Sequence, residues 1–356
     1  MKIVIFSKYD YSGPSSRYRF YNYQSSFISD NIEFKILPLF SKSYTKILFK
    51  GSRYRKYVLL LFYYIRRILL FFFYLSNKNF VIQAEILPYF PPILERILFQ
   101  FKKRVIIDFD DAIFHYYNSV ETSHIVTTIL GHKFDYILNN TTAITTGSSY
   151  LTSYCNKYNT NVLEIPTSII FNKYTSIDKV VSNEKLIVGW LGSPSSSQDL
   201  LSIIPALFRF NRLYEFELHI MGLDLNLKDK FAGLPVTFFD WSESGELKFL
   251  VSIDVGIMPL IRNQYNQGKC GFKLIQYMAM GKLTISTPLE ANVNININEM
   301  NLFAESIDEW YLALVKSNNM VKSKEYSLSN RNLIKEFFSV ETNYHKMKSF
   351  YIKHFN

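Results

Sequence analysis

Residues 268–281 read GKCGFKLIQYMAMG, and their setting decides the fold. The apolar run Val255-Gly-Ile-Met-Pro259 precedes them and reads as a buried strand stopped by proline. Leu283-Thr-Ile-Ser-Thr287 follows and is stopped in the same way by Pro288. Strand, glycine- and lysine-rich turn, helix and strand make up the repeating unit of a parallel α/β sheet. The turn sets unpaired backbone N–H groups, with the ammonium groups of Lys269 and Lys273, where a helix begins. Such a place favours phosphate, because the helix N-terminus carries partial positive charge and free donors. A phosphate-bearing ligand is therefore expected, a nucleotide above all.

Outward from this stretch the alternation continues. Strands are expected at 186–191, 215–221, 236–239, 253–258 and 283–286, with helices at 199–209, 245–251 and 272–280. The first half repeats the pattern, with strands at 3–6, 34–39, 80–84, 104–108, 141–145 and 162–166. Its helices are expected at 17–29, 55–75, 91–102, 125–138 and 149–157. Closing helices read at 306–319 and 327–355. The fold class is α/β, with two Rossmann-like doubly wound domains. Residues 1–167 form the first, a polar linker occupies 168–184, and 185–325 form the second. Residues 326–356 are terminal helices expected to pack back on the first domain. Two such domains invite a cleft outside the carboxyl ends of their strands, where ligands bind in open α/β sheets.

The chain has 356 residues, 48% hydrophobic, 17% aromatic and 20% charged, with a net charge of +10. That length suits two domains. The charge points to an anionic partner: nucleic acid, a membrane surface or phosphorylated substrates. The lysines are dispersed and no nucleic-acid motif is present, so a nucleic-acid-binding protein is only a remote alternative. Cys155 and Cys270 are the only cysteines, too few for a disulfide framework and without metal-ligand spacing. No metal or cofactor is expected, and a reducing, cytoplasmic compartment fits. Met1 to Phe6 read as a first strand rather than a signal peptide. Residues 57–75, YVLLLFYYIRRILLFFFYL, are long enough to cross a bilayer, but Arg66 and Arg67 sit near the middle. Each would cost roughly 2.5–3.5 kcal/mol there. With Lys46, Lys50, Arg53, Arg55 and Lys56 upstream, the stretch reads as a basic apolar helix packed on a sheet and touching anionic lipid.

Several motifs stand at expected ligand positions. Gly189-Trp-Leu-Gly-Ser-Pro-Ser-Ser-Ser197 follows the first strand of the second domain. Gly192 permits a tight turn, and Ser193 and Ser195 offer hydroxyls and N–H groups to a diphosphate, or else cap a helix. It is neither a Walker loop nor GxGxxG. Residues 13–19, GPSSRYR, place Arg17 and Arg19 after the first strand, able to hold a phosphate bidentately or to lie exposed. Asp108, Asp110 and Asp111 crowd the end of a strand, where mutual repulsion raises one carboxyl toward proton-transfer range. Asp111 is the expected acceptor-orienting residue or general base, while another Asp either caps the next helix or pairs with Arg17 or Arg19. Glu85 ends a strand, and Trp241 follows one and either lines a base pocket or fills a core edge. Cys270 reads as a packing residue.

Together Gly192-Ser-Pro-Ser195 and Gly268-Lys-Cys-Gly-Phe-Lys273 with Tyr277-Met-Ala-Met-Gly281 resemble glycosyltransferase family 4, of the GT-B fold. The likeness is to bacterial members that build surface polysaccharide such as O-antigen, capsule or lipopolysaccharide. Residues 13–19, the run Asp108-Phe-Asp-Asp-Ala-Ile-Phe114 and Asn161-Val-Leu-Glu-Ile-Pro-Thr167 resemble the same group. The resemblance implies sugar transfer from a nucleotide-sugar co-substrate to a glycan or lipid-linked acceptor, with retention and without metal. The basic, apolar surface of the first domain is expected to bring the protein to the inner face of the plasma membrane. By the same resemblance Gly192, Ser193, Ser195, Lys269 and Lys273 would hold the donor diphosphate, and Gln276 or Tyr277 would lie near the ribose. By position alone, Gly271 and Trp241 are expected on the donor side, Gly13, Ser15, Ser16, Arg19, Asp110 and Glu85 on the acceptor side, and Asp111, Lys273 and Arg17 in the catalytic set. The sequence departs from the family where many members carry two glutamates: Gly268 and Gln276 stand there. It also has serines where an Arg and a Lys are common. The rival reading is a catalytically silent homologue that binds nucleotide or glycan within an assembly.

Overall fold

The computed structural model describes residues 1–42, 53–118, 122–174 and 185–356, with the backbone alone for Arg53, Glu243 and Ser244. Lys46, Lys50 and most of the expected linker lie outside the described residues. The chain divides into two compact units. Unit 1 holds Met1–Ser168, Gly268–Cys270 and Asn343–Asn356; unit 2 holds Ile169–Gln267 and Gly271–Thr342. The terminal helices are thus shared between the units.

Unit 1 is built on β1 (Lys2–Tyr9), β2 (Glu33–Phe40), β3 (Asn79–Gln83), β4 (Arg104–Phe109), β5 (Ala143–Thr146) and β6 (Val162–Glu164). They form one parallel sheet in the order β2-β1-β3-β4-β5-β6. Unit 2 repeats the plan with β7 (Leu186–Leu191), β8 (Phe216–Met221), β9 (Val236–Phe239), β10 (Val255–Met258), β11 (Leu283–Ser286) and β12 (Leu302–Phe303). Its order is β12-β11-β10-β7-β8-β9, again all parallel. The central strands are buried along their length because helices cover both faces. Their Val and Ile runs therefore read as continuous rather than alternating.

The helices differ from expectation at their breaks. The single helix expected over 125–138 is two, His124–Leu130 and Lys133–Asn140, parted at Gly131. The one expected over 327–355 is Glu325–Phe337 and Val340–Phe355, because Ser339 Oγ accepts the Thr342 N–H and starts a new helix. Helix Ile113–Asn118, helix Glu290–Ile295 and strand β12 carry too short a periodic signal to be read in advance. After β1, Pro14–Ser16 begin a helix that widens to a π turn over Arg17–Tyr21 and resumes as Asn22–Ser29.

Candidate functional site

In unit 1 the carboxyl ends of β1, β3 and β4 gather the residues expected on the acceptor side. Gly13 lies against Tyr9, and a Cβ there would fall 2.3 Å from the Tyr9 Cβ, so only glycine lets the turn close. That closure delivers Ser15 and Ser16 to Gln83. Gln83 Nε2 donates to Ser15 Oγ at 2.5 Å, and Ser16 Oγ donates to Gln83 Oε1 at 2.7 Å. Ser15 in turn donates to Asp110. Gln83 is thus the hub of the cluster, although a glutamine at a strand end carries no charge signal that would single it out in the sequence. The next residue, Ala84, holds φ at +57°, a left-handed conformation unusual without glycine.

The three aspartates have separate roles. Asp108 is buried and takes Arg19 as a bidentate partner, through Nε at 3.0 Å and Nη2 at 2.5 Å, with Thr145 Oγ1 at 2.6 Å. Burial alone would lower the Arg19 pKa, but the charge and hydrogen bonds of Asp108 more than offset it and raise it. Arg19 also donates to the Ile165 carbonyl. The structure therefore gives Arg19 a core ion pair instead of the acceptor contact expected of it. Asp110 is the carboxyl that moves: burial first, then repulsion from Asp111, push it up to about 6. Asp111, expected as the base, accepts Lys269 Nζ at 3.1 Å. Both members of that pair are about one-third exposed, at 36% and 28%.

Lys269 thus lies in unit 1, paired to a carboxylate, whereas Ser193, Ser195 and Lys273 lie in unit 2. A Cβ on Gly268 would come within 2.3 Å of the Ala112 Cβ, and one on Gly147 within 2.5 Å of Cys270 Sγ. These two glycines let Gly268–Cys270 lie close to the Asp110–Ala112 backbone. The Cys270 thiol donates to the Asp110 carbonyl at 2.9 Å. Burial and both neighbouring aspartates push its pKa up, so it is an inert packing thiol.

Arg17 is buried, with its guanidinium 4.8 Å from the Tyr18 ring centroid and 5.7 Å from that of Tyr11. Glu85 is likewise committed. It accepts Lys133 Nζ at 2.5 Å and Tyr117 Oη at 3.0 Å, and Lys133 continues to the Leu87 and Phe90 carbonyls at 2.9 and 2.7 Å. Glu85 pins the loop after β3.

In unit 2 the turn expected to hold the donor follows β7. Ser193 and Ser195 are exposed, with their hydroxyls 2.9 Å apart, and the Ser193 N–H donates to Ser196 Oγ at 3.1 Å. Gly192 lies on the Trp190 indole, where a Cβ would fall 2.1 Å from the ring. Lys273, in the first turn of helix Phe272–Ala279, holds Nζ 4.5 Å from the centroid of that same ring. Trp190, itself fully buried, supports both the serine turn and the lysine. In the sequence it reads only as part of a strand. Gly271 caps this helix with φ at +63°, a conformation glycine adopts without strain.

Tyr277 and Gln276 are core residues. Tyr277 Oη accepts the Leu191 N–H at 2.8 Å, and Gly256 leaves room for its ring. Burial raises its pKa. Gln276 donates to Glu246 Oε1 at 2.6 Å and to Tyr174 Oη at 3.3 Å. Both tie the helix to its own sheet and neighbours. Trp241 is 38% exposed in the loop after β9. Among the described residues no group of three His, Cys, Asp or Glu is placed to hold a metal ion.

No protein-family profile matches the chain, and no curated protein matches it. Solved structures do. A glycosyltransferase from Rickettsia africae ESF-5 matches with a TM-score of 0.70 at 13% identity, over 99% of this chain and 98% of its own. HepE of Anabaena, crystallised with UDP-glucose, matches with a TM-score of 0.71 at 12% identity, over 98% of both chains. Sucrose-phosphate synthase from Thermosynechococcus elongatus matches with a TM-score of 0.70 at 10% identity, over 100% of this chain and 99% of its own. Two parallel six-stranded sheets with surrounding helices, matched along the whole chain, give this protein the GT-B fold of the glycosyltransferases.

Proposed function

We propose that the protein is a glycosyltransferase. It takes a sugar from a nucleotide-diphospho-sugar, a UDP-sugar first of all, to a glycan or lipid-linked acceptor. The observation that carries this reading is the exposed Ser193 and Ser195 turn, which shares the Trp190 support with Lys273 in unit 2. HepE, whose fold is alike over 98% of this chain, was crystallised with UDP-glucose, which supports a uridine donor. The bond between the donor sugar and its diphosphate breaks, and the electron pair leaves with the phosphate oxygen. The acceptor hydroxyl oxygen forms the new bond. Lys273 and the serine turn stabilise the charge that develops on the departing diphosphate, and such electrostatic stabilisation is usually the main way a protein accelerates a reaction of this kind. In unit 1 the Ser15–Asp110 pair orients the acceptor. With its pKa about 6, Asp110 is mostly ionised at neutral pH and ready to accept a proton. Family 4 membership, a retaining course, independence of metal and a role in surface polysaccharide follow from the motif resemblance and belong to the same proposal.

A thermal-shift screen against UDP-, GDP- and ADP-glucose, followed by donor turnover, tests it. A ligand present at 100 times its Kd stabilises the folded state by about 2.7 kcal/mol, a readily measured rise. UDP-glucose is expected to shift melting and to be consumed when acceptor is supplied. Binding without turnover of any donor would identify the silent homologue. No shift with any nucleotide-sugar would end the donor-site reading.

A further inference from the structure

Helix Arg53–Tyr74 carries a face that sugar transfer does not use. Its inner side holds Tyr63, Tyr64, Arg67 and Phe71, all buried in unit 1. Its outer side presents Tyr57, Leu61, Ile65, Leu69 and Phe73 at 69%, 61%, 49%, 65% and 75% exposure. These five recur every fourth residue, so they form one continuous apolar stripe. Only 22% of the most apolar 18-residue stretch within Tyr54–Tyr74 is buried, unlike the core helix of a globular domain. The surface continues past the helix. The Tyr64 and Phe90 rings lie 5.5 Å apart, and Phe90 and its neighbour Tyr89 are 49% and 56% exposed.

By length and composition this helix could cross a bilayer. Its two central arginines argue otherwise. Arg67 Nη2 donates to the Ser7 carbonyl at 2.5 Å beside the Phe6 ring. Arg66 Nη2 donates to the Pro38 and Leu39 carbonyls at 2.6 and 3.1 Å. Both side chains are fastened to the ends of β1 and β2, turned from the stripe. A span would break these bonds and set two guanidinium groups in hydrocarbon, at roughly 2.5–3.5 kcal/mol each. Charge selects the partner: residues 53–74 include no acid, Arg55 is exposed in the first turn, Lys56 is beside it, and the chain carries +10.

We propose that unit 1 docks flat on an anionic lipid bilayer through this stripe, with the helix lying in the plane of the interface. Its apolar side chains enter the acyl boundary, and Arg55 and Lys56 meet anionic headgroups. The inference stands apart from the donor site, whose residues lie in unit 2.

Vesicle sedimentation tests it, comparing phosphatidylglycerol mixed with phosphatidylcholine against phosphatidylcholine alone. Full-length protein is expected to partition preferentially to the anionic vesicles. The double variant Leu61→Glu, Leu69→Glu should lose at least about tenfold in partition with melting unchanged, since both side chains are exposed. Arg55→Glu with Lys56→Glu should abolish the preference for anionic lipid. Phe73→Trp should be quenched by bromines placed near the headgroups and not by those at the bilayer centre. Equal partition of wild type and the Leu61, Leu69 variant would overturn the proposal. So would quenching at the bilayer centre, which marks a span. So would a wild-type dimer in ultracentrifugation that the double variant renders monomeric while neither binds vesicles, which marks a second copy on the stripe. The nucleotide thermal shift, run in parallel, separates the two readings: its absence with vesicle binding intact removes the proposed donor and leaves the docking.

Discussion

Replacing Lys273 by methionine removes one positive charge from the helix that shares the Trp190 ring with the serine turn. In the free protein its ammonium group, 4.5 Å from the Trp190 ring centroid, makes a cation–π contact worth about 0.5–1 kcal/mol. Methionine retains the apolar stem, and urea unfolding of the variant separates any cost to the folded state from a loss of ligand affinity. The effect on a diphosphate is larger. A hydrogen bond to a charged group contributes about 1.5–3 kcal/mol, and each 1.4 kcal/mol is tenfold in affinity. The Kd for UDP should therefore rise roughly ten- to 150-fold, while uridine, which has no phosphate, should bind the variant as it binds wild type. Calorimetric titration of both ligands at two salt concentrations measures this. The wild-type affinity for UDP should also fall more steeply with salt than that of the variant. An unchanged UDP affinity, or an equal loss for uridine, would refute the placement of Lys273 against the diphosphate.

Tyr277→Phe leaves the buried Leu191 N–H without its acceptor. Urea unfolding should show a loss of about 1–3 kcal/mol, with UDP affinity unchanged if the residue is a strut and not a ribose contact. Asp108→Asn breaks a pair in which both side chains are 1% exposed, and strands Arg19. It should cost about 3–5 kcal/mol by the same measurement. Asp110 titrates near 6 in the folded state, above its ordinary value of 3.8. The stability this confers is full at low pH and is lost as pH rises from about 4 through about 6. Thermal melts of Asp110→Asn across that window should lack the decline that wild type shows.

The serine turn and the Gly268 to Lys273 stretch were legible because strand ends and glycine-marked turns are local signals. The strand positions were legible for the same reason, since buried parallel strands are continuous apolar runs with punctuation. The partners of polar side chains were not. Glu85, Gln276 and Tyr277 stood at ligand positions by topology, but Lys133, Glu246 and the Leu191 N–H claim them. Those partners lie 48, 30 and 86 residues away in sequence, beyond the reach of any local pattern.

The amino-acid order by itself determined that two parallel sheets form and where glycine-marked turns interrupt them, because periodicity, glycine and proline act over a few neighbouring residues. It also announced a helix too apolar to be ordinary and too charged at its centre to span with ease. Only the tertiary structure decided which aspartate holds the raised pKa, which arginine is spent on the core, and which way Arg66 and Arg67 turn. Those outcomes depend on burial and on the charge of distant groups brought within hydrogen-bond reach, quantities that exist only once the chain has folded.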